Sequence, residues 1–219
     1  MQALYGLKSS GAAFRALLAE TLHDLNYMPS QADPDVWLRP AVKSNGFKYY
    51  EYVLCYVDDV LCISGDPMIT MKGIQGKFKL KGDKIEEPDI YLGAKMSKMT
   101  NVDGIECWAF SSDQYCAAVV SNVESILEKK GLRLPSKCVI PLSCGYKPEL
   151  DATGELKADG VQWYQELIGS LRWAVELGRV DILLETSLMS TYLAMPREGH
   201  LEQVLHIIGF LKDHKKLRL

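Results

Sequence analysis

Two adjacent carboxylates, Asp58 and Asp59, interrupt an otherwise apolar stretch, with Tyr52-Val-Leu-Cys-Tyr-Val57 before them and Val60-Leu-Cys-Ile63 after. Both flanks are rich in aromatic and β-branched residues, which favour extended chain. Unpaired charges buried in such a stretch would be strongly destabilising, so the pair belongs either at an exposed turn or against a cation. The pattern predicts a β-hairpin, residues 48–56 returning through 60–63, with Asp58 and Asp59 at its tip. Hard oxygen ligands with no His or Cys beside them suit Mg²⁺, which binds through one or two carboxylates plus substrate phosphates. Two such ions would serve phosphoryl transfer, one at the attacking hydroxyl and one at the leaving pyrophosphate. Asp-Asp is also ordinary turn chemistry, and the dipeptide alone leaves both readings open.

The rest of the chain sets the frame. Of 219 residues, 47% are hydrophobic and 24% charged, which excludes a disordered or collagen-like chain and allows a sizeable core. The net charge of −3 means that any nucleic-acid binding must come from local patches. Six scattered cysteines, Cys55, Cys62, Cys107, Cys116, Cys138 and Cys144, form no Cys-x-x-Cys pair and fit a reduced intracellular compartment. The opening Met1-Gln-Ala-Leu-Tyr-Gly-Leu-Lys8 lacks the blocks of a signal peptide, and no apolar run reaches the length of a membrane span. It reads like the interior of a domain, so a longer parent is expected.

Phe14, Leu17, Leu18, Leu22 and Leu25 fall at helical spacing from Ser10, with Asn26 and Pro29 as stop signals. Asp66-Pro67 opens a short helix. Residues 76–82 alternate strictly, predicting a strand with Lys77, Lys79 and Lys81 on one face and Phe78 and Leu80 on the other. Residues 90–96 and 105–110 read as a hairpin joined through Asn101-Val-Asp-Gly104. Ser111-x-x-Gln114 reads as a capping box for a helix ending at Gly131. Residues 132–160, with three prolines, read as a connecting segment and the best internal boundary. Helical patterns follow at 164–175, 181–193 and 201–211.

Tyr56-Val-Asp-Asp59 on a hairpin resembles the signature of reverse transcriptases, and its surroundings resemble the Ty1/copia type of retrotransposon polymerase. Ala3-Leu-Tyr-Gly-Leu-Lys-Ser-Ser10, Ala32-Asp-Pro34, Ile90-Tyr-Leu-Gly93, Tyr164-Gln-Glu-Leu-Ile-Gly-Ser-Leu171, and Pro196-Arg-Glu-Gly-His200 with Phe210-Leu-Lys212 resemble that family's motifs in order. Ser9-Ser-Gly11, Phe14 and Gly178-Arg-Val-Asp181 depart from its pattern.

The resemblance implies an α+β fold. Residues 1–110 would be a partial polymerase palm with an antiparallel sheet, 111–160 a thumb-like helix with its connecting segment, and 161–219 a helical connection region. It implies that Asp58 is the metal-binding catalytic carboxylate and Asp59 a supporting ligand, for Mg²⁺ or Mn²⁺. Gly6, Lys8 and Tyr56 would lie at the nucleotide and template, and Tyr91, Leu92 and Gly93 would grip the primer. Lys77, Lys79 and Lys81 would meet backbone phosphates or would simply be solvated. Asp33 and Asp35 are not expected to replace a catalytic carboxylate.

Implied partners are an RNA or DNA template-primer, deoxynucleotides and the remainder of a Pol polyprotein, with no membrane. The implied location is intracellular, in the cytoplasm within virus-like particles, and the nucleus. The family's other catalytic aspartate and its fingers lie upstream of Leu-Tyr-Gly-Leu-Lys, so this chain is expected to be inactive alone. The alternative is a catalytically dead remnant that binds nucleic acid or does nothing. His200 reads as a cap or packing residue, and Trp37, Trp108, Trp163 and Trp173 read as core rather than as stacking platforms for bases.

Overall fold

A computed structural model describes residues 10–57, 59–79 and 84–215. Its contacts divide the chain into two compact units, Met1–Pro88 and Asp89–Leu219. Both combine antiparallel strands with helices, so the α+β expectation holds.

In the first unit, α1 (Ser10–Asp24) buries Leu18 and Leu22, as the spacing predicts. The helix ends where Asn26 turns left-handed (φ 64°), letting the Tyr27 N–H reach the Leu22 carbonyl at 2.9 Å. The sheet runs in the order β1 (Met28–Pro29), β2 (Val36–Val42), β3 (Lys48–Tyr56), β4 (Asp59–Ile63), with each neighbouring pair antiparallel. Its inner face supplies Trp37 and Val53 to a core shared with Leu18, Leu22, Tyr27 and Ile74. Helix α2 (Pro67–Gln75) starts with Pro67 in its first turn, and the Asp66 side chain accepts from the Met68 N–H.

The strand expected over 76–82 does not form in its described part. Lys77 N–H and Phe78 N–H both donate to the Ile74 carbonyl, so these residues close the end of α2. Phe78 then meets Phe14 edge-on at 5.2 Å. A three-fold alternation is too short to outweigh orphan helix carbonyls that lie within reach.

The second unit begins with β5 (Ile90–Tyr91), β6 (Ala94–Thr100) and β7 (Glu106–Ser111), ordered β5-β6-β7. Residues 90–96 are therefore two strands and not one. Leu92 (φ 52°) and Gly93 (φ 88°) make a two-residue turn, and Tyr91 pairs with Ala94. Helix α3 (Asp113–Lys129) starts two residues after the expected capping box. Ser111 completes β7 opposite Lys95, and its hydroxyl accepts from the Asp113 N–H at 3.2 Å, so Ser112 becomes the cap position without a side-chain bond. Gly131 (φ 70°) terminates α3 as predicted, with the Leu132 N–H returning to the Leu127 carbonyl at 2.9 Å.

Helices α4 (Ala158–Glu176), α5 (Leu183–Ser190) and α6 (Glu198–Asp213) complete this unit. One core joins Val120, Val123 and Leu127 of α3 to Tyr164, Ile168 and Leu171 of α4 and to Val204, Ile207 and Ile208 of α6. Residues 132–157 lie against that core rather than dividing the chain. Leu134 and Cys138 belong to it, the Gln203 side chain accepts from the Ser143 N–H at 3.0 Å, and Asp213 accepts from the Cys138 N–H at 2.9 Å. At Gly209 a Cβ would stand 2.6 Å from the Pro135 carbonyl oxygen, so the segment needs glycine there to come this close. Prolines mark irregular chain, but they do not tell a linker from a strap held by side chains.

His200 is buried, with Nδ1 accepting from the Arg197 N–H at 3.1 Å and Nε2 3.1 Å from the Pro148 carbonyl. This is the cap and packing role expected for it.

Candidate active site

Strands β3 and β4 set the geometry of the carboxylate pair. Their register runs from Tyr52 opposite Ile63 to Tyr56 opposite Asp59. Asp59 therefore starts β4 rather than sitting at the tip. Asp58 lies outside the described residues, as do Gly6, Lys8 and Lys81. Val57 is 77% exposed and has φ 55°, a left-handed conformation that is costly for a β-branched residue. Two-residue hairpins usually place Asn, Asp or Gly where φ is positive. Here the first position is valine, and its side chain gains no burial in return.

Beneath the turn the hairpin is apolar and closed. Val53, Cys55, Val60 and Cys62 line the inner face. Burial pushes the Cys55 thiol up to about 12, with the Asp35 carboxylate adding to it and Arg15 opposing, so this cysteine is a packing residue and not a nucleophile. Asp35 forms an ion pair with Arg15 at 2.7 Å, and Asp33 accepts from the Asp35 N–H at 2.9 Å. Both carboxylates hold the loop between β1 and β2.

At the other end of the same hairpin stands a polar cluster that sequence reasoning missed. Glu51 is 7% exposed and accepts from Arg39 Nε at 3.0 Å, from Arg39 Nη2, from the Ser64 hydroxyl at 2.6 Å and from the Tyr49 hydroxyl at 3.2 Å. Burial alone would raise its pKa, but the Ser64, Arg39 and Tyr49 bonds together outweigh it and hold the carboxyl below its ordinary value. Arg39 also donates to the Leu25 carbonyl at 2.8 Å and lies 4.4 Å from the centre of the Tyr27 ring. The signal was present in the register. Glu51 shares the inward-facing alternation with Val53 and Cys55, a place where a charge requires partners.

The remaining predicted positions are dispersed. Tyr56 is half-exposed directly across from Asp59. Lys77 lies 3.7 Å from Asp24, and Lys79 is exposed beyond α2. Tyr91, Leu92 and Gly93 form the β5–β6 turn of the second unit, where a Cβ on Gly93 would touch Leu177 and Trp173 at 3.7 and 3.8 Å. Among the described residues no three His, Cys, Asp or Glu side chains come together as a metal cage, and no helix is long and apolar enough to cross a membrane. At the β3–β4 turn the described residues are the exposed Val57 at positive φ and the exposed carboxylate of Asp59.

No family model matches the chain, and neither does any solved structure. Three known proteins are similar to it. A transposon Ty5-1 protein of Saccharomyces cerevisiae is 27% identical over 217 residues, 99% of this chain and 65% of that protein. The retrovirus-related Pol polyprotein from transposon RE1 of Arabidopsis thaliana is 24% identical over 96% of this chain and 13% of its own length. The corresponding polyprotein from transposon TNT 1-94 of Nicotiana tabacum is 25% identical over 96% of this chain and 15% of its own. The chain thus spans less than two thirds of each relative it matches. Over nearly its whole length, then, it is a homologue of Ty/copia-type retrotransposon Pol polyproteins, as its motifs anticipated.

Proposed function

We propose that this chain is a piece of the reverse-transcriptase region of a copia-type Pol polyprotein, and that Asp58 and Asp59 are its share of a two-metal nucleotidyl-transfer site. The observation that carries the reading is Val57: a β-branched residue in a left-handed conformation, exposed, next to paired carboxylates. Strain of this kind costs about 1–3 kcal/mol and persists at sites where geometry serves something other than folding. Kinship with Pol polyproteins supports it.

Bound Mg²⁺ would supply charge neutralisation at the attacking hydroxyl and the leaving pyrophosphate. Asp58 would provide the main carboxylate oxygen, and Asp59, fixed by its pairing with Tyr56, the supporting one. Tyr56 would border the nucleotide, and Tyr91, Leu92 and Gly93 would hold the primer terminus. One acidic pair supplies only one side of a two-ion clamp. The 219-residue chain alone is therefore expected to incorporate no nucleotide.

Mn²⁺ titration with detection of paramagnetic broadening by NMR tests this directly. The reading predicts broadening centred on residues 56–60 that is lost in Asp58→Asn. Broadening elsewhere, or equal broadening in the variant, would overturn the metal assignment. Primer extension by the 219-residue chain, if abolished by Asp58→Asn, would instead contradict its inactivity alone.

A further inference from the structure

Trp108 does not occupy the core position expected of it. It is 41% exposed on β7, and Phe110, two residues on along the same face, is 37% exposed. β7 is also an edge: among the described residues it pairs with β6 alone. Two hydrogen bonds fix which of its backbone groups that edge presents. The Asn101 N–H reaches the Ile105 carbonyl at 2.9 Å, and on the far side of β6 the Met96 N–H reaches the Asp89 carbonyl at 2.8 Å. Bonded and non-bonded pairs alternate along antiparallel strands, so Cys107, Ala109 and Ser111 turn their backbone groups to Met99, Ser97 and Lys95. Trp108 and Phe110 therefore turn their N–H and C=O groups outward, off the edge of the sheet.

Sheet edges are ordinarily blunted by a lysine, a proline, a bulge or shortness. β5, the opposite edge of this sheet, is two residues long. β7 is six residues long, reads Glu-Cys-Trp-Ala-Phe-Ser, and pairs with β6 in unbroken register. It carries none of those defences.

We propose that β7 pairs antiparallel with β7 of a second copy of this chain, about a two-fold axis through Ala109. In that register Trp108 lies opposite Phe110 of the other copy, and Phe110 opposite its Trp108. These are the residues whose N–H and C=O groups point outward, so each pair exchanges both backbone bonds, while Ala109 faces Ala109 in the non-bonded position. A two-fold axis normal to the sheet keeps every side chain on its own face, so aromatic meets aromatic twice and no like charges stand opposite. A register centred on Trp108 would satisfy the backbone equally, but it sets each Glu106 against a Phe110. The two-residue β5 edge offers no strand to extend the sheet further, so the contact closes as a dimer. One strand pair is a small interface, which makes the dimer weak and dependent on concentration. The inference goes beyond the polymerase reading and does not rest on it.

The test is sedimentation equilibrium of the full 219-residue chain from micromolar to millimolar concentration, with amide exchange followed by NMR over the same range. A monomer–dimer equilibrium is expected. The Trp108 and Phe110 amides should exchange more slowly as concentration rises, while those of Cys107 and Ala109, already bonded to β6, stay protected throughout. Trp108→Lys, which restores an edge lysine, should weaken the dimer about tenfold. Phe110→Pro removes an outward N–H that β6 does not use and should weaken it as well. Melting curves show whether each variant is folded, and if neither is, the exchange pattern of the parent decides. The proposal is overturned if the parent stays monomeric, if it grows past a dimer, or if both variants dimerise as the parent does. It is equally overturned if exchange at Trp108 and Phe110 is independent of concentration. No metal enters these measurements, so failure here leaves the Mn²⁺ result at Asp58 standing, and the reverse also holds.

Discussion

The two ends of the β3–β4 hairpin treat acidic side chains in opposite ways. At one end Glu51 is enclosed by Arg39, Ser64 and Tyr49, and its charge serves the fold. At the other, Asp59 opens β4 in solvent, with no ion pair among the described residues, beside a valine held at positive φ. Folding alone accounts for the first arrangement, since an inward carboxylate must be neutralised by hydrogen bonds. It does not account for the second, where an exposed valine is held at positive φ with no burial in return. The β5–β6 turn makes the contrast sharper. There Leu92 also has positive φ, but it is half-buried, and glycine takes the second position against Trp173 and Leu177.

The largest effect should come from breaking the enclosed end. Glu51→Ala leaves the Arg39 guanidinium without its main partner and is expected to destabilise the first unit by about 3 kcal/mol, read by chemical denaturation. A loss under 1 kcal/mol would mean that the cluster contributes little. Gly93→Val forces a β-branched residue to φ 88° and should cost the second unit about 2 kcal/mol. If it cost nothing, the β5–β6 turn would be no control for the other. Glu51 also sets an acid limit. Its folded pKa lies below the ordinary 4.5, so its contribution is complete above that value and is lost as pH falls through the folded one. Stability against pH should therefore slope less steeply below about pH 4.5 in Glu51→Gln than in the parent. The smallest change in stability belongs to Asp59→Asn, within about 0.5 kcal/mol, while Mn²⁺ affinity falls. Equal Mn²⁺ affinity in that variant would remove Asp59 from the site.

Local rules made much of this legible. The spacing from Phe14 to Leu25 located α1, aromatic and β-branched richness located β3, and the helical pattern over 201–211, through Leu201, Val204, Leu205, Ile208 and Leu211, located α6. Asp66-Pro67 and Gly131 marked helix ends because one cap or one left-handed residue decides each. The misreadings arose where several local solutions compete. Ser111 was fitted to a capping box, but β7 claimed its backbone first. Lys77 and Phe78 closed a helix instead of starting a strand. The turn at Leu92 was hidden because leucine seldom adopts positive φ, and the hold of residues 132–157 on α6 depends on contacts such as Gln203 with Ser143 that no period encodes. In the candidate site the carboxylate pair was legible, whereas the strain at Val57, the Glu51 cluster and the exposure of Trp108 needed the register of the strands.

The most direct measurement is Val57→Gly, with folding stability and Mn²⁺ affinity determined on the same protein. Glycine relieves a left-handed strain of about 1–2 kcal/mol and gives back about 0.5–1 kcal/mol in unfolded-chain entropy, so the first unit should gain somewhat under 1 kcal/mol. If the valine holds the carboxylates in a metal-binding geometry, Mn²⁺ affinity should fall severalfold in the same variant. A protein that becomes more stable and binds Mn²⁺ less well is the result this account predicts. One that loses stability, or that binds Mn²⁺ as tightly as the parent, would contradict the claim that this turn is kept strained for chemistry.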